Sequence, residues 1–398
     1  MLLVVVDTLR KDHLPVYGYE RRPTAPHLAE LAAAGDAIVY DDVVAVSSWT
    51  KPTMATLFTG LPPAEHGVMR LVGRGARLQD PHVLAAEFAA AGYATGCVMG
   101  NHVLTRPMQA GFDAGFTFWD ERPAAMRHEG TSARQVADSG LRWLSERPDD
   151  QPWFLVLHFF DPHAVFVDHP EYDWFDPDYG GPLRGGDSTD RLRELEKHLT
   201  AADREQLAAL YDEEVRIVDD QFGRVLAALR ARPDWERTVV VFTSDHGEEL
   251  GERGHVGHTQ TLHHELVDLP LVVRVPAAVA PRWELPELDD GGRSQLQLYA
   301  AMLRLGGIPV PAGRDALPDG IAMEVDFVPV RRDHLEKFVR KRGVQVGALK
   351  LVEDLNAGAA ALYDRAADPG EWNPLPADDP RAEPLRRRLA EHRWWQRP

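Results

Sequence analysis

Four apolar, largely β-branched runs in this chain each stop at a carboxylate or an amide, and that repetition leaves few folds open. The clearest is TVVVFTSDHGEELGERGHVGH at 238–258. An uninterrupted run of this kind has no polar face to turn to water, so it predicts a strand buried on both faces of a parallel sheet. It ends in Ser244, Asp245, His246 and Gly247, and a second imidazole, His258, follows twelve residues after His246. LLVVV at 2–6 stops at Asp7, GYATGCVMGNH at Asn101 and His102, and QPWFLVLHFFDPHAVF at Asp161, Pro162 and His163. In open α/β sheets, ligands gather beyond the carboxyl ends of the strands, so these groups are placed to hold a metal ion. A lone Asp-His pair would read as a turn. Four strand exits alike do not.

With 398 residues, 44% of them hydrophobic, the chain can bury a large core and make two or three domains. The formal charge of -18 argues against a nucleic-acid duplex as partner, because no stretch concentrates the basic residues that neutralise phosphates. It leaves a phosphate or sulfate ester open as substrate, since a bound divalent cation dominates a small site. The single cysteine, Cys97, excludes an internal disulfide. MLLVVVDTLR has no charged leader region, and no apolar run reaches the roughly 18 residues of a membrane span, so a cytoplasmic protein without a membrane partner is expected.

Between the strands the pattern alternates with helices. Thr24 and Pro26 open HLAELAAAG, which Gly35 stops, and DAIVYDDVVAV reads as a short strand. Helical stretches are expected at 132–146 and 201–231, and ELVDLPLVVRVP as a further strand. Residues 164–200 are irregular and look like a loop over the site, with His169, Tyr172, Trp174 and Arg184 either substrate contacts or plain surface residues. From 284 onward the character changes: a helix at 294–305, strands around 322–329 and 344–352, LYDRAADPGEWNPL, and a closing helix at 380–392. The expected organisation is an α/β domain at 1–283, with a mostly parallel sheet flanked by helices, and a small α+β subdomain at 284–398.

In SSWTKPTMATLFTGLPPAEHGV, Pro52 sits where a first-turn proline is tolerated and Gly60 closes a short helix, which puts Thr50 at its start. Thr50 there is either an N-cap or a nucleophile whose hydroxyl is acidified by the helix terminus and a bound cation. Asn101 is either a turn residue or a donor to an oxyanion.

VVVDTLRKDHLPVYGY, SSWTKPTMATLFTGLPPAEHGV, FFDPHAVF and SDHGEELGERGHVGH, with ALKLVED and ALYDRAADPGEWNPL in the tail, resemble in order and rough spacing the sulfatase family of the alkaline phosphatase superfamily. The resemblance implies a metal held by Asp7, Asp245, His246 and the Thr50 oxygen, and a second held by Asp161, His163 and His258 if the site is dinuclear. Two carboxylates, an imidazole and an alkoxide suit Mn²⁺ or Zn²⁺ better than the all-oxygen shell Ca²⁺ prefers. The chain departs from the family where the chemistry is done. Sulfatases carry a Cys or Ser, oxidised to formylglycine, in a Cys/Ser-x-Pro-x-Arg pattern; here Thr50, Lys51, Pro52, Thr53 and Met54 stand in its place, so no formylglycine is expected. The family's second acid after Asp7 is Thr8.

The reading this supports is a metal-dependent hydrolase of phosphoric or phosphonic esters. Thr50 attacks, His163 or His258 moves the proton, Lys51 and Asn101 bind non-bridging oxygens, and Lys51 is alternatively a solvated surface lysine. The alternatives are a sulfuric ester hydrolase acting without formylglycine and a non-catalytic protein of the same fold.

Overall fold

A computed structural model describes all residues except 109, 126–131, 149, 290, 316–319, 329–337, 377 and 397–398. The strands of its large sheet are β1 (Leu2–Val6), β2 (Ala37–Val44), β3 (Ala94–Met99), β4 (Phe118–Asp120), β5 (Trp153–Phe159) and β6 (Val240–Ser244). A short hairpin, β7 (Glu249–Leu250) and β8 (Val256–Gly257), precedes β9 (Asp268–Arg274) and β10 (Arg293–Ser294). The order across the sheet is β10-β2-β9-β6-β1-β5-β3-β4. Only β9 runs antiparallel to its neighbours, β2 and β6. The expected α/β fold with a mostly parallel sheet is therefore present.

The apolar runs are central because both of their faces find a core. Leu3, Val5, Val156 and Val241 pack with the helices Thr50–Thr59, Leu84–Ala90 and Gln297–Leu305 on one side. Leu2, Val4, Val6, Leu155, Leu157 and Val240 pack with Pro26–Ala32, Ser132–Ser145 and Ala201–Arg230 on the other. Alternate side chains of one strand thus serve opposite layers, the demand a continuous apolar run meets and a half-polar one cannot. The long helix Ala201–Arg230 starts at a capping box in which Thr200 and Asp203 satisfy each other's backbone amides.

Its carboxylates also organise the segment before it. Glu213 accepts from the amides of His169, Trp174 and Phe175, and Glu214 from that of Val167. Tyr172 donates to Asp220 at 2.8 Å, and Arg184 is engaged by the carbonyls of Gly181 and Leu183. The first part of the segment is thus strapped along the helix. Its second part, rather than staying irregular, forms the helix Thr189–Leu195, capped by Ser188, and the turn Glu196–His198.

The four antiparallel strands β11 (Ile321–Phe327), β12 (Val339–Val346), β13 (Leu349–Asp354) and β14 (Ala359–Asp364) make the second sheet. Position 329 of the expected strand lies outside the described residues. Val344, Leu351, Leu362, Leu385 and Leu389 form its core with the helix Ala382–Glu391. The change of character read at 284 falls later in the structure: β10 and the helix Gln297–Leu305 stay with the large sheet, and the small sheet begins at Ile321.

Glu371 ties the two together. Its carboxylate accepts from the fully buried Lys350 at 2.9 Å, from His263 at 2.9 Å, and pairs with Arg365 at 3.2 Å. Arg253 donates to its carbonyl. His263 and Arg253 belong to the stretch that follows β6, so the clasp reaches the strand exit that carries Asp245. Removing one partner of a buried pair strands the other charge. Glu371→Ala is expected to cost about 3–5 kcal/mol in chemical denaturation, more than Glu371→Gln. A second buried carboxyl, Glu324, holds the Trp395 amide and is pushed up to about 8 by burial. Its folded value lies above its unfolded one, so stability is lost as pH rises through the interval from the ordinary carboxyl range to about 8. Glu324→Gln is expected to flatten that slope, of about 1.4 kcal/mol per pH unit, in melts followed across the interval.

Candidate active site

Register brings the two acids together. Val6 lies opposite Ser244 in the parallel pair β1–β6, so Asp7 and Asp245 leave adjacent strands side by side, both fully buried. Hydrogen bonds fix one oxygen of each. Asn101 donates through Nδ2 to Asp7 Oδ2 at 2.5 Å, while the amides of Thr8 and His246 donate to Asp245 Oδ1 at 3.2 and 2.9 Å. Asp7 Oδ1 and Asp245 Oδ2 are buried with no hydrogen-bond partner among the described residues. They lie 3.9 and 3.4 Å from Nε2 of His246. Burial, and next the Asp245 charge, push the Asp7 carboxyl well above the usual range, with the Asn101 bond opposing.

Thr50 is the first residue of its helix, and Trp49 occupies the cap position. The Thr50 hydroxyl is therefore not spent on the helix. Its Oγ1 lies 3.3 Å from His246 Nε2. Because Nδ1 of His246 donates to the Gly247 carbonyl at 2.8 Å, Nε2 carries the lone pair that faces this hydroxyl. Two orphaned carboxylate oxygens, an imidazole lone pair and a hydroxyl form a donor set that fits a divalent cation.

The other two expected imidazoles are neighbours. The ring of His258 lies 4.6 Å from that of His246 and 5.0 Å from that of His163. Nδ1 of His258 donates to Glu248 at 2.7 Å and Nδ1 of His163 to the Ala164 carbonyl at 2.6 Å, so each also keeps an Nε2 lone pair. Burial holds both pKa values down to about 4, so both rings are neutral near pH 7.

Two expected residues are engaged elsewhere. Asp161 Oδ2 accepts from the Ser132 hydroxyl at 3.0 Å and the Ala133 amide at 2.8 Å, at the start of the helix Ser132–Ser145. Lys51 is fully buried rather than solvated, and its Nζ donates to the carbonyls of Leu71 and Ala76 at 2.8 and 2.9 Å. Both carbonyls belong to the loop after His66, so the amine braces that loop.

Two residues belong here that sequence reasoning passed over. His158, next to last in β5, lies with Nε2 3.9 Å from Asp7 Oδ2, and neither ring nitrogen has a hydrogen-bond partner among the described residues. Asp7, His158 and Asp245 each offer a ligand atom within 4.8 Å of the others. Its signal was a titratable residue inside an otherwise apolar strand. Glu248 is the other: fully buried, it orients His258 through Oε1 and accepts weakly from the Ala164 amide at 3.4 Å through Oε2.

Comparison with known proteins places the chain in a family. The sulfatase family model matches residues 1–308. An uncharacterised sulfatase of Escherichia coli, YidJ, is 27% identical over 276 residues, covering 65% of this chain and 54% of its own. The chain thus spans about half the length of that relative. Among solved structures, the 2-O GAG sulfatase BT1596 superposes with a TM-score of 0.75 at 20% identity, covering 99% of this chain and 90% of that one. A phosphonate monoester hydrolase of Agrobacterium radiobacter does so with a TM-score of 0.71 at 23% identity, covering 98% and 94%. At these identities the structures speak for the fold, and the family match over most of the chain speaks for descent: the protein belongs to the sulfatase family of hydrolases.

Proposed function

We propose that the protein hydrolyses phosphoric or phosphonic esters, with Thr50 as the nucleophile and a transition-metal ion held by Asp7, Asp245, His246 and the Thr50 oxygen. The observation that carries this reading is the Thr50 hydroxyl at a helix start, 3.3 Å from His246 Nε2 and beside two orphaned carboxylate oxygens. A cation held there would lower the pKa of the hydroxyl and neutralise charge on the ester's non-bridging oxygens.

The chain's own groups do the rest. Thr50 Oγ1 forms a bond to phosphorus as the bond to the leaving oxygen breaks, and the helix N-terminus favours the charge that develops. The proton leaving Thr50 needs an acceptor, and the neutral imidazoles of His163 and His258 offer Nε2 lone pairs. With pKa values held near 4, these rings begin as bases, so the proton delivered to the leaving oxygen is one they first accept. Glu248 steadies His258 when it becomes cationic. The same imidazoles then take a proton from water, which attacks phosphorus and frees Thr50. Asn101, whose second amide proton remains available beyond Asp7, binds a non-bridging oxygen.

Sulfate ester hydrolysis is the second reading, favoured by the sulfatases among the relatives. Phosphoester hydrolysis is favoured by Thr50 standing where the sulfatase pattern has Cys or Ser; the fold, shared with sulfatases and with a phosphonate monoester hydrolase alike, does not discriminate. Turnover of p-nitrophenyl phosphate, a phosphodiester, a phosphonate monoester and a sulfate, each with Mn²⁺ or Zn²⁺, separates them; faster sulfate hydrolysis would reverse the order. Thr50→Ala is expected to lower kcat about 10³-fold or more while retaining metal, and intact-mass analysis of the quenched wild-type reaction to find one phosphoryl group on Thr50. Asp7→Asn and Asp245→Asn are expected to weaken metal binding about ten-fold or more by calorimetry, and chelation to abolish turnover until metal is restored.

A further inference from the structure

With 62 acidic residues against 44 basic ones, most concave surface on this chain should carry a carboxylate. One cleft does not. It lies where the chain beyond the helix Ala382–Glu391 meets the loop after His66, and it encloses about 560 Å³. Arg74 comes to it from the loop, Arg342 from β12 and Arg393 from the chain past the helix, with Trp394 and Trp395 in the same wall. Among the described residues no aspartate or glutamate lines it, and no residue of the candidate active site does.

The arginines of this cleft are poorly matched. Arg74 and Arg393 are exposed and make no hydrogen bond or ion pair among the described residues. Arg342 meets Glu353 at 2.8 Å and lies 5.6 Å from the centre of the Trp394 ring. Arg70, beside them, is by contrast spent on Asp326 at 3.0 Å and covers the face of Trp395 at 4.3 Å.

The backbone that carries the unmatched pair is fixed. Gly73 and Gly75, on either side of Arg74, take left-handed φ values of 76° and 83°. The Gly75 carbonyl accepts from the amides of Met69 and Arg70 at 2.8 and 2.9 Å, and the Lys51 amine grips the carbonyls of Leu71 and Ala76. On the other wall, Trp394 donates through Nε1 to the Leu389 carbonyl at 2.7 Å and the Trp395 amide is held by Glu324, so the chain that follows Arg393 is pinned twice. A site whose walls are already ordered loses less on binding.

We propose that this cleft binds a tetrahedral oxyanion, a phosphate or sulfate group, between the guanidinium groups of Arg74, Arg342 and Arg393. Each guanidinium offers such a group a planar fork of N–H donors, and three cations around one concavity focus a positive potential within an acidic molecule. The volume is on the scale of small-molecule sites, roughly 300–1,000 Å³, which favours a free anion or the charged end of a small ester over a chain segment. The cleft is separate from the Thr50 site, and the inference does not depend on the hydrolase reading.

The Mn²⁺-loaded full-length protein is titrated calorimetrically with inorganic phosphate and with benzylphosphonate, whose carbon–phosphorus bond offers no ester to cleave. The wild type is expected to show two binding events. The double variant Arg74→Gln/Arg393→Gln is expected to weaken one of them about ten-fold or more, while melting temperature and turnover of p-nitrophenyl phosphate are retained. Arg74→Lys/Arg393→Lys, which keeps the charge, is expected to recover part of the affinity. Tighter binding of benzylphosphonate than of phosphate in the cleft identifies an ester as occupant, and equal or weaker binding a free anion. If only one event occurs and the arginine variant abolishes it, the cleft stands and the Thr50 site fails to hold the anion. If the arginine variant leaves every event unchanged, the cleft assignment is overturned.

Discussion

Two carboxylates forced into one dry space set the terms for this molecule. β1 and β6 are neighbours in register, so the residues that follow them, Asp7 and Asp245, have nowhere to separate. Two like charges a few ångströms apart in a medium of low effective dielectric repel by several kcal/mol, and the cheaper outcomes are a retained proton or a cation between them. The donors around the pair leave room for the second. Thr8 takes a left-handed backbone, φ 55°, that turns its amide onto Asp245 Oδ1. For a β-branched residue this costs about 1–3 kcal/mol. The Tyr211 hydroxyl holds it there, donating to the Thr8 carbonyl at 2.8 Å while accepting from the Arg10 amide at 2.8 Å. The side-chain carboxylates of this pair accept on Asp7 Oδ2 and Asp245 Oδ1, and the other oxygen of each is left without a hydrogen bond among the described residues.

The surroundings can be understood as support for those two bare oxygens. A Cβ on Gly247 would lie 1.8 Å from the Glu265 carbonyl, so only glycine lets the loop after His246 close onto the chain behind it. A Cβ on Gly100 would lie 2.6 Å from the His158 carbonyl, and the same close approach brings Asn101 to Asp7. Glu371 reaches the loop from the small sheet through His263 and Arg253. Strain and buried charge are thus concentrated at the strand exits, where a rigid sheet on one side and a clasp on the other hold them.

What the sequence disclosed follows from where the information lies. β1, β5 and β6 were legible because a strand buried on both faces must be apolar throughout, and Asp7, Asp245 and His246 because they break that rule at its end. His158 breaks it too, but from inside the run, where one imidazole among seven strand residues has no period to betray it. Glu248 sat unnoticed among GEELGE, which reads as a solvated acidic stretch; its burial depends on the β7–β8 hairpin folding back, a non-local event. Asp161 carries the same local signature as Asp7, yet is turned onto a helix start that sequence places some thirty residues earlier. The direction of β9 was equally hidden, since an antiparallel strand inside a parallel sheet has the same apolar composition. The solvated alternative for Lys51 failed for a related reason: an amine is assigned to water unless a distant loop supplies carbonyls, and here Leu71 and Ala76 do.

The departures from the family pattern are consistent with one another in chemical terms. Met54 stands where the pattern has an arginine, and it is fully buried among apolar neighbours. A threonine bears one oxygen on its Cβ, whereas an aldehyde hydrate bears two. Once esterified, threonine has no second oxygen with which to expel the acid and re-form a carbonyl, so it can be released only by displacement at the central phosphorus or sulfur. That second displacement needs a base for the attacking water and a site that tolerates the incoming charge. On the proposed reading, His163 and His258, neutral and each with an Nε2 lone pair, would supply the first, and a cation held by Asp7, Asp245 and His246 would supply the second. With threonine in place of the aldehyde precursor, the proposed reaction would therefore have displacement as its one route of product release.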